Sequence, residues 1–263
     1  MGADEKLARI HVKVERAKKH IADVNARIVT FINTNPYAVS CKVEAETRRP
    51  VYYISKVSEI PVDLAMIAGD AIQNLRTSLD HLARQLHLMV PGANPDAEFN
   101  FPVHNTAKDH EAFLKRVVKR LRQDAVDALR AAQAYKGGNG HQLWVLNRLN
   151  NIDKHRVLVT VGSAYQSVDL SKFIPEMKNP VTGEVFKPPS IFIRPADRKC
   201  PLKEGDKLFI DAPDAQCKQD VHFRFDVALN EPGIVESEPL IETLQHLADL
   251  VGGTLTAFKP CLA

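Results

Sequence analysis

Residues 63–90, DLAMIAGDAIQNLRTSLDHLARQLHLMV, constrain the fold of this chain more than any other stretch. Leu64, Ala68, Ala71, Leu75, Leu79, Leu82, Leu86 and Met89 recur at spacings of three and four, the apolar stripe of a long core helix. Asp63 follows Pro61 and is placed to cap the helix, and Pro91-Gly92 ends it. At about 100° per residue, Asp70, Asn74, Ser78, His81 and Gln85 fall along one flank of the stripe. Arg76 and Asp80 lie on the opposite flank, four apart, where they can pair. Buried polar groups cost roughly 1–3 kcal/mol each unless bonded, so these rows demand partners from neighbouring elements.

The flanking segments supply candidates. Residues 4–33 predict a first helix, with Leu7, Ile10, Val14, Ala17, Ile21, Val24, Ile28 and Phe31 inside and Lys13, Arg16, Lys18 and Lys19 outside. Residues 37–47 and 51–58 read as two strands of an antiparallel hairpin. Beyond the long helix, residues 107–122, 123–134 and 141–154 predict three more helices, the first carrying the most basic run of the chain (Lys115, Arg116, Lys119, Arg120, Arg122). The character then becomes β-rich: 157–161, 190–194, 207–210 and 221–229 predict strands. Residues 238–258 form a closing helix. Consecutive elements tend to be spatial neighbours. The expectation is therefore one α+β unit over residues 1–263, mainly helical to 156 and β-rich from 157. In it an antiparallel helical bundle packs against an antiparallel sheet made by the N-terminal hairpin and the C-terminal strands.

Charge and cysteine usage exclude some classes. A net charge of +3 over 263 residues is too weak to argue for nucleic acid by itself. Four cysteines without a CxxC pair imply neither a structural zinc nor a disulfide framework, and read as mostly buried or free thiols in a reducing compartment. The charged N-terminus is not a secretory signal and no long apolar run is present, so a cytoplasmic protein with no membrane partner is expected. Walker A, GxGxxG and GxSxG motifs are absent, as is any DNA-binding motif.

Arg76-Thr77-Ser78-Leu79-Asp80-His81 resembles the R-x4-6-H pattern of HEPN-domain proteins, also carried on a long helix; the resemblance covers about residues 60–156. The strings GDAIQNLRTSLDHLA and LWVLNRLNNIDKHR are also similar to a widespread group of bacterial and phage proteins. The HEPN resemblance implies a metal-independent endoribonuclease, or an inactive RNA-binding relative, in a toxin or phage-defence role. It further implies a homodimer, no cofactor and RNA as partner. On this sequence His81 would be general acid or base at the ribose 2′-hydroxyl, and Arg76 would hold the phosphorane. Within one helix the two side chains point about 140° apart, so converging on one phosphate needs a reach around the helix or a second chain.

A second constellation, Asn150-Asn151-Ile152-Asp153-Lys154-His155-Arg156, ends the fifth helix. Its cations suit a helix C-terminus, and Lys154 and Arg156 would clamp an anion. Asp70, Asn74, Asp80, Asp153, Lys154, His155 and Arg156 are thus supporting or anion-binding candidates, with no metal site assigned. Two alternatives stand beside the ribonuclease reading. One is a non-catalytic structural or partner-binding protein, in which Arg76 pairs with Asp80 and the polar rows are a network. The other is a metal-dependent hydrolase using His81, Asp153 and His155.

Overall fold

The structure, a computed structural model, describes residues 2–156, 161–174, 176–186, 190–195 and 199–263, and at positions 155, 156, 172 and 186 the backbone alone. In chain order the elements are α1 (Ala3–Ile32), β1 (Tyr37–Val43), β2 (Pro50–Val57), α2 (Val62–Leu88), α3 (Ala107–Val117), α4 (Gln123–Ala132) and α5 (His141–Arg156). There follow β3 (Val161–Asp169), β4 (Met177–Lys178), β5 (Val185–Phe186), β6 (Phe192–Ile193), β7 (Lys207–Ile210), β8 (Phe223–Glu231), β9 (Val235–Pro239) and α6 (Leu240–Ala257). Of the strand predicted at 157–161, positions 157–160 lie outside the described residues.

The helices form one layer built around α2. The expected stripe of α1 is buried along its whole length. The two helices run antiparallel, with Lys6 beside Met89 at one end and Arg27 paired with Asp63 at the other. That pair displaces the cap predicted at Asp63: the helix starts one residue earlier, behind Pro61, without a side-chain cap. α5 and α6 cover further sides of α2, leaving Leu64, Ala68, Leu75, Leu79 and Leu82 with no exposed surface. α3 stops at Val117, short of the predicted 122. The chain turns there so that Leu121 drops into the core while Arg120 bonds the carbonyl of Glu98.

The chain is an α+β protein in which every strand pair among the described residues is antiparallel, with the N-terminal hairpin and the C-terminal strands together forming its β part. The hairpin does join a C-terminal strand, in the order β1-β2-β7, but β3, β8 and β9, with the two-residue β6 at the edge, form a second sheet, β6-β3-β8-β9. Phe223 and Phe225 explain the division. A single flat sheet would leave the dry face of β8 in water. Instead it lies against the hairpin, with Phe225 on Tyr37 (4.5 Å between rings) and Phe223 on Tyr52 (5.8 Å). A hydrogen bond from the Tyr37 hydroxyl to Ser163 Oγ (2.9 Å) ties the two sheets.

Cys41 and Cys217 form a disulfide, with Cα atoms 5.9 Å apart, which corrects the expectation of buried or free thiols; Cys200 and Cys261 are free. The loop after β7 is brought over β1 by the Arg48–Asp214 ion pair and by the Lys218 N–H donating to the Tyr52 hydroxyl. Urea-unfolded, unreduced protein should titrate two thiols, and four after reduction.

A histidine pair joins α3 to α4. The Nε2–H of His110 donates to the Leu129 carbonyl (3.2 Å), which leaves its Nδ1 to accept from His104 Nδ1–H (3.1 Å). Protonating His110 would set two N–H groups against each other. Burial is the main reason both histidines are held below the usual imidazole value of 6.5, with the neighbouring His110 adding to the effect at His104. The unfolded chain therefore binds more protons than the folded one as pH falls below about 6.5, so the pair's contribution is present above that pH and lost below it. Urea denaturation at pH 7.5 and 5.5 should show lower stability in acid, and His110→Gln should shrink the difference.

Candidate functional site

Arg76 is 7% exposed and faces α5 and the loop before α3. Its guanidinium donates through Nε to Asn147 Oδ1 (2.9 Å), through Nη1 to Asp80 Oδ1 (2.6 Å) and through Nη2 to the Phe101 carbonyl (2.9 Å). The same Asp80 oxygen accepts the Phe101 N–H (2.9 Å). Two helices and a loop thus close on one cation. Burial lowers the Arg76 pKa, and the Asp80 carboxylate opposes that shift and holds the charge. All three of its nitrogens donate to internal acceptors, and the side chain is buried away from the surface where a phosphate would approach.

His81, one and a half turns on, is exposed and faces α1. It stands in a groove of about 300 Å³ lined by Lys6, Arg9, Ile10, Arg84, Gln85 and Leu88. The Lys6 ammonium donates to the Leu262 carbonyl (3.0 Å), and Arg84 to the Pro95 carbonyl (3.0 Å), both uncharged acceptors. Arg9 pairs with Glu5 at the surface, while Lys13 makes no ion pair among the described residues. Partial burial lowers the pKa of His81, the nearby Lys13 and Arg84 lower it further, and Asp80 partly offsets them. The groove is therefore a cationic trough with a neutral imidazole in its wall. Arg76 and His81 do not converge within one chain.

The second constellation lies elsewhere. Asp153 lays its carboxylate on α2 at Gly69, in the space that a Cβ there would take. Burial raises the Asp153 pKa, the neighbouring Asp70 adds to this, and Lys154 opposes it. Asn74 donates to the Asp70 carbonyl of its own helix (2.8 Å). One turn before Asp153, Asn150 is buried with Oδ1 unpaired among the described residues. Positions 69 and 81 are twelve residues apart on α2, about 18 Å along its axis, so Asp153 and His81 do not share a site. Among the described residues no three His, Cys, Asp or Glu side chains gather to hold a metal. The side chains of His155 and Arg156 lie outside the described residues.

Of the other basic run, Arg122 pairs with Asp124 and Arg120 donates to the Glu98 carbonyl, while Lys115, Arg116 and Lys119 are exposed on α3 and the turn after it. Trp144 is core, its indole N–H donating to Asn105 Oδ1 (2.9 Å). What the sequence reading missed is the contribution of Lys6, Arg9 and Arg84. The signal was present: Lys6, Arg9 and Lys13 flank the buried Leu7, Ile10 and Val14, and an antiparallel α2 must lay Arg84 beside them. No family model matches the chain, and no curated protein or solved structure does.

Removing the guanidinium should unfold rather than merely inactivate. Arg76→Met leaves Asp80, Asn147 and the Phe101 carbonyl without their donor, and should cost about 2–4 kcal/mol in chemical denaturation. His81→Ala, at an exposed position, should stay within about 0.5 kcal/mol of the parent.

Proposed function

We propose that the chain is an RNA-binding protein whose phosphate-contacting surface is the α1–α2 groove, and that it holds the strand without cleaving it. This is the RNA-binding, inactive form of the activity that the HEPN resemblance implies. One observation carries the reading: His81 stands in an open groove beside Lys6, Arg9, Lys13 and Arg84, while Arg76 is consumed by internal acceptors. A cleaving pair needs both groups on one phosphate, whereas a binding groove needs only cations spaced along a backbone. Three of these cations, Lys6, Lys13 and Arg84, have no carboxylate partner among the described residues. A strand laid along the groove would supply the anions. It would also favour protonation of His81, whose pKa partial burial and then the cations hold down, so binding should tighten as pH falls below about 6.5.

Fluorescence anisotropy with a labelled single-stranded RNA tests this. The parent should bind with a log–log salt slope of about −2 to −3, since each phosphate contacted on a single strand contributes roughly −0.7. Arg84→Glu and Lys13→Glu should each weaken binding at least about tenfold, because each reverses a charge next to the backbone. In the presence of EDTA the RNA should remain intact. Binding untouched by both reversals would place the contact elsewhere, and products ending in 2′,3′-cyclic phosphate that vanish in His81→Ala would restore the catalytic reading.

A further inference from the structure

The two sheets leave one side of their sandwich open. Among the described residues β7 pairs only with β2 and β6 only with β3, so two edge strands face the same gap. Between them lies a cavity of about 330 Å³, within the range of small-molecule sites. The bulge between Tyr165 and Ser167 in β3 brings Tyr165 and Val168, three apart, onto the same inner face, where both enter the inter-sheet core. Leu170, Leu208 and Phe209 complete the apolar walls, and the half-exposed Ile193 and Ile210 form the lip.

Two polar side chains break this lining. Tyr165 is 2% exposed, and its hydroxyl makes no hydrogen bond among the described residues. The other two tyrosines of the sandwich interior are served, Tyr37 by Ser163 and Tyr52 by the Lys218 N–H. Burial alone pushes the Tyr165 pKa up to about 12, so at neutral pH its hydroxyl is a hydrogen-bond donor without a protein partner among the described residues. The second is Lys207. It pairs with Glu44 across the surface (3.0 Å), but both side chains are well exposed and such pairs hold weakly. No carboxylate lines the cavity among the described residues.

We propose that this inter-sheet cavity is a binding site for a small apolar carboxylic acid. Its hydrocarbon body fills the space between Val168, Leu170 and Leu208, and its carboxylate accepts from the Tyr165 hydroxyl and the Lys207 ammonium. The apolar walls set the body, and the Tyr165 hydroxyl with the Lys207 ammonium, exchanging its exposed partner Glu44 for the ligand, sets the head group. The site is separate from the α1–α2 groove, so it stands or falls without the RNA reading.

Calorimetric titration of the full chain with octanoate tests the assignment, with octan-1-ol as the uncharged control. Octanoate should bind saturably with one site per chain, at least tenfold tighter than octan-1-ol. Tyr165→Phe should weaken it about five- to tenfold, the worth of one hydrogen bond. Leu208→Trp fills the cavity and should abolish binding. Because that variant alters a buried position, Ile193→Glu on the exposed lip serves beside it. It should keep the parent's melting temperature and RNA affinity while losing at least tenfold in octanoate affinity. No saturable heat at millimolar octanoate, equal binding of the alcohol, or parental affinity in both Tyr165→Phe and Ile193→Glu would overturn the proposal. So would a dimer on sedimentation that Ile193→Glu dissociates, because a second copy would then own this edge.

Discussion

Burying α2 on most of its circumference forces a charge into the interior, and the helical layer is arranged around satisfying it. A guanidinium stays protonated at any ordinary pH, so Arg76 must find acceptors where its helix is most enclosed. It takes one from the next turn (Asp80), one from α5 (Asn147) and one from the loop carrying Phe101. Each acceptor fixes an element that the apolar stripe alone would leave free to slide. The Phe101 carbonyl and N–H are both held, which anchors the segment leading to α3. Apolar burial supplies the larger share of stability in such a layer, but it is indifferent to register. The forked donor is not.

β8 joins the helical layer to the sandwich. Val227 and Leu229 belong to the core shared with the helices, whereas Phe223 and Phe225, at the same period of two, belong to the core between the sheets. One strand face therefore serves two cores in succession, and its twist lets the first half meet the hairpin and the second half meet α6. The Phe31–Tyr37 ring contact continues the link at the end of α1. A cut between a helical and a β-rich part would pass through these side chains.

Period and punctuation made most of the fold legible. The stripes of α1, α2 and α6, the hairpin and the run 207–210 follow from spacing, because a buried face repeats every 3.6 or every 2 residues whatever it packs against. Sheet partnership did not follow. The alternation from Val221 to Leu229 announces one dry face but not what covers it, and nothing in the local sequence separates one sheet from two facing ones. The Cys41–Cys217 bond was hidden for a similar reason: its partners are 176 residues apart and meet only through the loop after β7. At the site, the angle between Arg76 and His81 was readable from helical geometry, and so was the Arg76–Asp80 pairing. The groove was not, because it needs Lys6 and Arg9 from one helix beside Arg84 from another. A cluster assembled across two antiparallel helices leaves no contiguous motif.

The placement of those cations is hard to explain as structural economy. Helices favour carboxylates at their N-termini and cations at their C-termini. α2 obeys, with Asp63 in its first turn and Arg84 near its end. α1 opens with Asp4 and Glu5 in the same sense, yet then places Lys6, Arg9 and Lys13 in its N-terminal half. Antiparallel packing lays that half against the basic end of α2, so like charges face each other across the groove instead of cancelling. Elsewhere the same helix pair shows the favourable arrangement, Arg27 against Asp63, so the scaffold does not forbid compensation. An arrangement that repels itself in the isolated chain and would be relieved by an extended anion is the pattern expected of a binding surface, and His81, its pKa lowered by partial burial and further by those same cations, lies within it.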